Sequence, residues 1–357
     1  MPSSVTAPTH DVVVIGDGVI GLSIALELAQ RGLTCRVVGA TRRGAASGAA
    51  AGILAPSLGH APVAARSFFF ASLESYPAFV ASLRAADPEL RIIEGLLEIA
   101  TSRDDGGSSP SSGAIPLHPN EVRELEPALR PVQGALLHPR EGAIDNVRLL
   151  AALRRAARSS AKVHVVDDAP VVRVDFASTT RTVITSAGAR YDASAVVIAA
   201  GAWSPLIEGL PRRLPVSPLK GEMIALASSP LRRPVMGDDV YAVPRGSETV
   251  VGATTEEAGF DTSTTESAVA TLRAAAVRLL PTLATAGCRA WAGIRPATPD
   301  MLPIIGPDPQ KSGLVYACGH SKNGILLAPA TAEAVGAILC GQPPSTDMAA
   351  FAVERFE

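Results

Sequence analysis

The sequence predicts an α/β fold in which a nucleotide-binding domain, built from discontinuous pieces of the chain, carries an inserted α+β domain. Three observations predict it. A strand–turn–helix unit opens the chain at residues 10–30, another closes it at 314–339, and residues 215–260 alternate short apolar runs with turns, typical of an antiparallel sheet. The nucleotide-binding domain is predicted to comprise 1–82, 141–204 and 289–345, and the inserted domain 83–140 and 205–288.

The composition is that of a globular chain and limits its partners. Hydrophobic residues make up 47% of the 357 residues and charged residues 18%, which allows a large core in about two domains. The net charge is −2 and no run of Lys and Arg occurs, so nucleic acid is an unfavoured partner. No apolar stretch reaches the length of about 18 residues that a membrane span needs, and no basic N-terminal signal is present. These features predict a cytoplasmic protein that does not span a membrane.

The cysteine usage agrees with that location. Cys35, Cys288, Cys318 and Cys340 are scattered along the chain and form no C-x-x-C pair. We therefore expect neither a disulfide framework nor a metal site, and a reducing compartment.

The N-terminal unit has the spacing of a dinucleotide-binding turn. An apolar strand over 10–15 runs into Gly16-Asp17-Gly18-Val19-Ile20-Gly21, and a helix over 22–30 follows. In this arrangement a pyrophosphate can bind to the free N–H groups and the positive dipole end of the helix. The first glycine permits the tight turn, the second admits the pyrophosphate to the backbone, and the third lets the helix pack close to the strand.

The remaining elements are predicted from apolar periodicity and turn residues. The small residues of 44–52 would let the backbone pass close to a bulky, flat group, whereas the Ser, Gly and Asp of 101–116 indicate a disordered surface loop. Helices are predicted over 64–84, 121–125, 146–159, 264–280 and 325–339. Strands are predicted over 34–38, 162–166, 171–176, 194–200 and 314–318.

Four further segments carry a family resemblance. Residues 49–56, 250–254, 291–300 and 319–331, in this order and together with the N-terminal glycines, resemble the glycine oxidase (ThiO-type) branch of the FAD-dependent D-amino-acid oxidase family. The resemblance covers nearly the whole chain. It implies a Rossmann-like FAD-binding domain of the glutathione-reductase type with an inserted α+β substrate domain on an antiparallel sheet.

The resemblance also implies an activity. Such enzymes oxidise a small amine or amino acid, such as glycine or sarcosine, by hydride transfer to FAD, and O2 reoxidises the flavin to give H2O2. Related sarcosine oxidases attach their flavin to a cysteine, and residues 296–300 contain none, so non-covalent FAD is expected. Supply of an imine for the thiazole of thiamine is a further implied role. A homo-oligomer is also implied, although no residue here indicates one.

The predicted substrate site is centred on Arg295, because a planar guanidinium can hold a carboxylate bidentately. The structural alternative for Arg295 is an ion pair with Asp300. By the resemblance, the Tyr241 hydroxyl reaches the same carboxylate, and Lys322 and Thr255 complete the set. These last two replace an arginine and a methionine of the family pattern, so the substrate range is where this chain departs from it. No residue is assigned as a catalytic acid or base, because the flavin carries the chemistry.

The predicted cofactor site has one departure. Gly39 ends the second strand, where the family carries an acid for the ribose hydroxyls, and Thr41 or Arg42 could take over that role. An arginine there is also compatible with the 2′-phosphate of NADP. The segments that resemble the flavin family make NADP the poorer alternative to FAD. Residues 320–326 are expected to point a helix N-terminus at the flavin ring. The full predicted set is Gly16, Gly18, Val19, Ile20, Gly21, Gly39, Ala40, Arg42, Ala46, Ser47, Ala51, Gly52, Ile53, Val171, Gly201, Trp203, Gly293, His320, Ser321, Lys322, Asn323, Gly324, Ile325 and Leu326.

Three alternatives stay open. The first is an oxidase or dehydrogenase of a D-amino acid, a cyclic imino acid or another secondary amine, which Thr255 and Lys322 motivate. The second is a flavoenzyme that modifies tRNA, which the near-neutral charge disfavours. The third is a flavin-binding protein without catalytic activity, which the presence of both Arg295 and Tyr241 disfavours.

Overall fold

Two β-sheets organise the computed structural model, which describes residues 10–59, 62–99, 113–177, 179–237 and 240–357. In those residues the strands are β1 (His10–Ile15), β2 (Cys35–Val38), β3 (Ile53–Leu54), β4 (Ile92–Ile99), β5 (Ile115–Leu117), β6 (Ala135–Ile144), β7 (Val163–Val166), β8 (Val171–Phe176), β9 (Arg181–Thr185), β10 (Arg190–Ile198), β11 (Ser217–Leu226), β12 (Val235–Met236), β13 (Tyr241–Arg245), β14 (Glu248–Gly252), β15 (Cys288–Ala297), β16 (Ile304–Pro307) and β17 (Leu314–Cys318). The α-helices are α1 (Val19–Gln30), α2 (Ala46–Ala49), α3 (Val63–Ser82), α4 (Pro119–Leu125), α5 (Asn146–Ser159), α6 (Glu266–Leu279) and α7 (Gly324–Leu339).

The first sheet is the nucleotide-binding half of the fold. Its strand order is β16-β17-β10-β1-β2-β7, and the β8–β9 hairpin extends it from β10. The central strand β1 pairs in parallel with β2 and β10, and its three valines are buried on both faces. Helices α1, α3, α5 and α7 cover one face, while β8, β9 and the C-terminal turn cover the other. Because the chain leaves β1 for neighbours on either side, the carboxyl ends of these strands border a ligand crevice.

The second sheet has the order β15-β11-β14-β13-β12-β4-β6-β3, with β5 beside β6. Its pairs are antiparallel except for β12 with β4. Helix α6 covers one face, where Leu272 and Leu279 share an apolar cluster with Ile224 and Val251. The opposite face, which includes Met223, borders the space between the two sheets.

The predicted α/β class and the inserted antiparallel sheet are confirmed. The predicted helix over 146–159 coincides with α5, and the predicted strands over 10–15, 171–176 and 314–318 coincide with β1, β8 and β17. The other predicted helices and strands are present with shifted ends. Strands β3, β4, β6, β9, β15 and β16 are not among the predicted elements. Glycine, proline or charged residues interrupt the apolar patterns of β4, β6 and β15, whereas β3, β9 and β16 are at most five residues long. Within the described residues, no helix has the length and apolar character needed to cross a membrane.

Several assignments need correction. Residues 115–117 of the predicted loop form β5 on β6, whereas 101–112 lie outside the described residues. The small-residue segment contains the short helix α2. Strand β15 opens the segment 289–345 predicted for the nucleotide-binding domain, yet it pairs along its whole length with β11 of the second sheet. Residues 141–144, at the end of β6, also belong to that sheet. These pairings give sheet membership only, and the domain division itself stays a prediction.

Candidate active site

A cavity of about 580 Å³ lies between the two sheets. The first sheet contributes the residues that follow β1, β2 and β10, and the second contributes β11, β13 and β15. The volume lies within the range of about 300–1,000 Å³ that is usual for ligand and cofactor pockets. The cavity therefore occupies the crevice that the sheet topology predicts, with the inserted sheet as its opposite wall.

The glycine turn after β1 borders this cavity. Gly16 has φ +117°, and a Cβ there would lie 2.3 Å from the Ala199 carbonyl oxygen. Gly18 precedes the first helical residue and has no side-chain cap, so α1 presents its N-terminal end to the cavity. The Val19 N–H donates to the Ser47 hydroxyl at 3.0 Å. The turn has the shape and the donors that an anionic diphosphate needs.

The third glycine has a different function from its neighbours. A Cβ at Gly21 would lie 1.9 Å from the Gly16 carbonyl oxygen, so this position serves close packing of α1 on the turn. Gly21 does not line the cavity. This corrects its place among the cofactor-contacting residues while supporting the packing role expected of it.

A second helix N-terminus also faces the cavity. The segment His320–Ile325 lines it, and Asn323, the residue before α7, makes no side-chain capping hydrogen bond. Leu326 does not line it, because its side chain is turned into the core and is only 2% exposed. The positive end of the α7 dipole is thus available to stabilise negative charge in the cavity.

The His320 imidazole supports α7 from within. Its Nε2 atom lies 3.0 Å from the hydroxyl of Thr331, which is a residue of α7. Complete burial lowers the pKa of His320 to about 3, so the ring is neutral near pH 7. Its side chain anchors the loop to the helix, and it carries no charge that a ligand could use.

The small-residue segment is held tightly against β15. The Ile294 N–H donates to the Gly44 carbonyl at 2.8 Å, and the Trp291 indole donates to the Ala49 carbonyl at 2.9 Å. A Cβ at Gly293 would lie 2.6 Å from the Ala49 Cβ. The small side chains therefore allow two backbones to approach each other, and they also line the cavity.

Arg295 projects from β15 into the cavity. Its Nη1 atom donates to the Thr254 carbonyl at 3.1 Å and to the Lys220 carbonyl at 3.4 Å. Among the residues that the structure describes, Arg295 forms no ion pair, and Asp300 instead pairs with Arg355 at 2.7 Å. The structural alternative for Arg295 is thereby excluded. A fixed, uncompensated guanidinium in a cavity is an anchor for a ligand carboxylate.

Tyr241 lines the cavity from β13, in the electrostatic neighbourhood of Arg295. Burial raises the pKa of its hydroxyl to about 12, and the Arg295 charge offsets only part of that effect. The hydroxyl lies 3.8 Å from the Met223 sulfur, a weak acceptor. It is therefore a protonated donor with capacity for a stronger acceptor. Thr255 and Lys322 also line the cavity, and both are exposed.

The remaining predicted residues lie on the nucleotide-binding side. Val171, Gly201 and Trp203 line the cavity, and the guanidinium of Arg42 lies 5.7 Å from the Trp203 ring centroid. Gly39 does not line it. All predicted site residues other than Gly21, Gly39 and Leu326 line the cavity.

Some lining residues were missed by sequence reasoning. Leu219, Gly221, Met223 and Met236 come from the inserted sheet, and no local motif distinguishes them from other strand residues. Asp17 lies within the quoted glycine motif but received no role. Its acidic side chain in a turn expected to hold phosphate was a signal that could have been used.

Comparisons with known proteins agree over nearly the whole chain. The family described as DAO, FAD dependent oxidoreductase, matches residues 11–338. The glycine oxidase of Pseudomonas aeruginosa is 34% identical, over 96% of this chain and 98% of that protein. The bifunctional protein ThiO/ThiG of Synechocystis sp. is 35% identical over 98% of this chain, which spans 54% of that protein's length. The crystal structure of glycine oxidase from Geobacillus kaustophilus superposes with a TM-score of 0.88 at 30% identity, covering 96% of this chain and 98% of that one.

Proposed function

Because the chain belongs to the DAO family of FAD-dependent oxidoreductases, we propose that it oxidises a small amino acid of the glycine or sarcosine type to the imine. The single observation that carries the proposal is Arg295, a fixed cavity guanidinium without an ion pair among the described residues, with the Tyr241 hydroxyl beside it. The names of the glycine oxidase relatives support the same substrate class.

The residues around the cavity fit FAD. The N-cap residues of α1 and α7, Gly18 and Asn323, make no side-chain capping hydrogen bond, and both helix N-termini border the cavity. Their positive dipole ends suit a diphosphate and negative charge on a reduced ring. Cys318 is the one cysteine among the described lining residues, and burial raises its thiol pKa to about 12. A neutral thiol is a poor nucleophile, which supports non-covalent binding of the cofactor.

These positions assign separate roles to the cofactor and to the side chains around it. When bound, FAD supplies the acceptor for the hydride that leaves the substrate carbon beside the amine. Arg295 holds the carboxylate in two hydrogen bonds, and Tyr241 donates a third, which together orient that carbon. Tyr241 stays protonated and His320 stays neutral near pH 7, so neither accepts the proton of the substrate amine.

A second candidate is a secondary amine or a D-amino acid. Thr255 and Lys322 are exposed where they line the cavity, so this edge leaves room for a larger group than hydrogen on the carbon or nitrogen. Lys322 also offers a cation to a second anionic group. A tRNA substrate and a role without catalysis remain poorer alternatives. O2 as the electron acceptor, H2O2 as a product, a place in thiamine synthesis, oligomerisation and a cytoplasmic location stay predictions.

The test is the visible spectrum of the purified holoprotein under anaerobic conditions, before and after each of several amines is added. Bleaching of the flavin band by glycine or sarcosine is the expected result. Faster bleaching by D-proline or a larger D-amino acid would transfer the assignment to the second candidate. A flavin band that no amine bleaches would overturn the proposed catalytic function.

A further inference from the structure

The end of β2 lacks the carboxylate that dinucleotide-binding folds use for the ribose hydroxyls. Gly39 occupies this position, and its own backbone is already engaged. Its N–H donates to the Val166 carbonyl at 2.9 Å, and its carbonyl accepts from the Ala169 N–H at 2.7 Å. A ribose hydroxyl would find no side-chain acceptor at Gly39.

The Asp17 carboxylate lies in the space that a side chain at residue 39 would occupy. An ideal Cβ on Gly39 would be 2.4 Å from the Asp17 Cγ and 2.8 Å from its Oδ1. Asp17 lines the cavity, and its side chain is 17% exposed. It is the one carboxylate among the described lining residues. The Asp17 carboxylate can therefore occupy this position only because residue 39 has no side chain.

The other groups near the end of β2 are less suitable. The Thr41 N–H donates to the Asp168 carboxylate at 3.3 Å, and neither residue lines the cavity. Arg42 does line it, but a guanidinium has no acceptor and its charge lies near the Trp203 ring. The candidates Thr41 and Arg42 therefore do not reproduce the function of the missing acid.

Arg154 explains how an acid is tolerated in a phosphate-binding turn. Its Nη2 atom, on α5, donates to Oδ2 of Asp17. The guanidinium offsets the carboxylate charge, which would otherwise repel a diphosphate bound at the N-terminus of α1. Within the described residues no hydrogen bond reaches Oδ1, the atom on the Gly39 side, so this oxygen is available to a ligand hydroxyl.

We propose that Asp17 accepts the hydrogen bonds of the adenosine ribose hydroxyls of FAD, in place of an acid at residue 39, and that Arg154 is the positioning residue for its carboxylate. In this arrangement an acid in the turn after β1 binds the ribose hydroxyls that an acid at the end of β2 would otherwise bind. This inference rests on the family's cofactor and does not depend on which amine is the substrate.

The test compares two ligands on the apoprotein. FAD and its 2′,3′-dideoxyadenosine analogue, which lacks the ribose hydroxyls, are titrated while quenching of flavin fluorescence is followed. We expect the wild-type protein to bind FAD about 10- to 100-fold more tightly than the analogue. In Asp17→Ala the ratio of the two dissociation constants should fall close to one. A wild-type ratio in this variant would overturn the proposal.

Two matched variants separate ligand contact from structure. Asp168→Ala removes an acid near the end of β2 but outside the cavity, and it should retain the wild-type ratio. Asp17→Asn keeps the volume of the side chain and one acceptor oxygen, and it should lower the ratio in part with little change in Tm. Loss of the ratio in Asp168→Ala, or its full retention in Asp17→Asn, would contradict the assignment.

A positional exchange provides the rescue. Gly39→Glu alone should weaken FAD binding, because the new Cβ collides with Asp17. The double variant Asp17→Gly, Gly39→Glu frees that space and should recover the preference for FAD over the analogue. Failure of the double variant to exceed Asp17→Ala in this ratio would argue that the two positions do not serve the same hydroxyls. None of these titrations requires turnover, so the proposed substrate is tested separately.

Discussion

The guanidinium of Arg295 lies against the backbone of Gly221, where an ideal Cβ would be only 2.3 Å from its Nη2 atom. In the antiparallel pair of β11 and β15, Arg295 lies opposite Leu219 and Gly221 lies opposite Gly293, so Gly221 and Arg295 are diagonal neighbours, and each lines the cavity. The absence of a side chain on one strand therefore defines where the charge on the other strand can lie. The proposed carboxylate-binding role of Arg295 therefore depends on a glycine that carries no reactive group.

Gly221→Ala should displace the Arg295 guanidinium and raise the KM for glycine by about 10- to 100-fold, because small misplacements of an orienting group are costly. Steady-state kinetics with the FAD-saturated protein measure this. The matched control is Gly287→Ala, whose Cβ would meet only Ala227 at an ordinary 3.7 Å. Equal kinetics in Gly221→Ala and the wild type would contradict the contact.

Arg295→Met should lower kcat/KM for glycine by about 100-fold or more, since the substrate carboxylate loses a charge-assisted bidentate partner. The loss should be far smaller for ethylamine, which has no carboxylate to anchor. Arg289→Met is the control on the same strand, because Arg289 pairs with Glu248 at 2.6 Å and does not line the cavity. An equal loss for both substrates would exclude carboxylate binding by Arg295.

Tyr241→Phe should lower kcat/KM by about 10- to 100-fold, the range for one hydrogen bond to a charged group. The folded protein should lose little stability, because the hydroxyl has only the Met223 sulfur as a weak acceptor at 3.8 Å. Kinetics and thermal unfolding of the same preparation measure the two effects. A large fall in Tm with unchanged kcat/KM would instead assign Tyr241 a packing role.

The parts of the site that the sequence predicts are those with a local signature. The glycine turn before α1 and the loop before α7 are contiguous segments, so spacing alone places them at helix N-termini. Arg295 and Tyr241 followed from the family resemblance, and the cavity lining includes both.

The parts that the sequence does not predict depend on distant neighbours. The pairing of β15 with β11 joins residues about seventy positions apart, so the sequence around Gly221 contains no sign of Arg295. The same holds for Gly39 and Asp17, which belong to different elements and meet only in the folded chain. The absence of an acid at residue 39 can be recognised in the sequence, whereas the residue that takes its place can be identified only in the folded structure.

The His320 ring makes the folded protein sensitive to acid. Burial lowers the pKa of His320 to about 3, below its ordinary value of 6.5, so between these values the unfolded chain binds a proton that the folded chain does not. Its contribution to stability is thus complete above pH 6.5 and is lost as the pH falls toward 3. The free energy of unfolding should decrease by up to about 1.4 kcal/mol per pH unit from this residue.

Urea unfolding at a series of pH values measures that slope. His320→Gln keeps a hydrogen-bonding group next to Thr331 but cannot take up a proton, so its stability should vary less between pH 6 and pH 4 than that of the wild type. If His320→Gln retained the full wild-type slope, other groups would account for the acid sensitivity, and the neutral, buried ring at the start of α7 would not be its source.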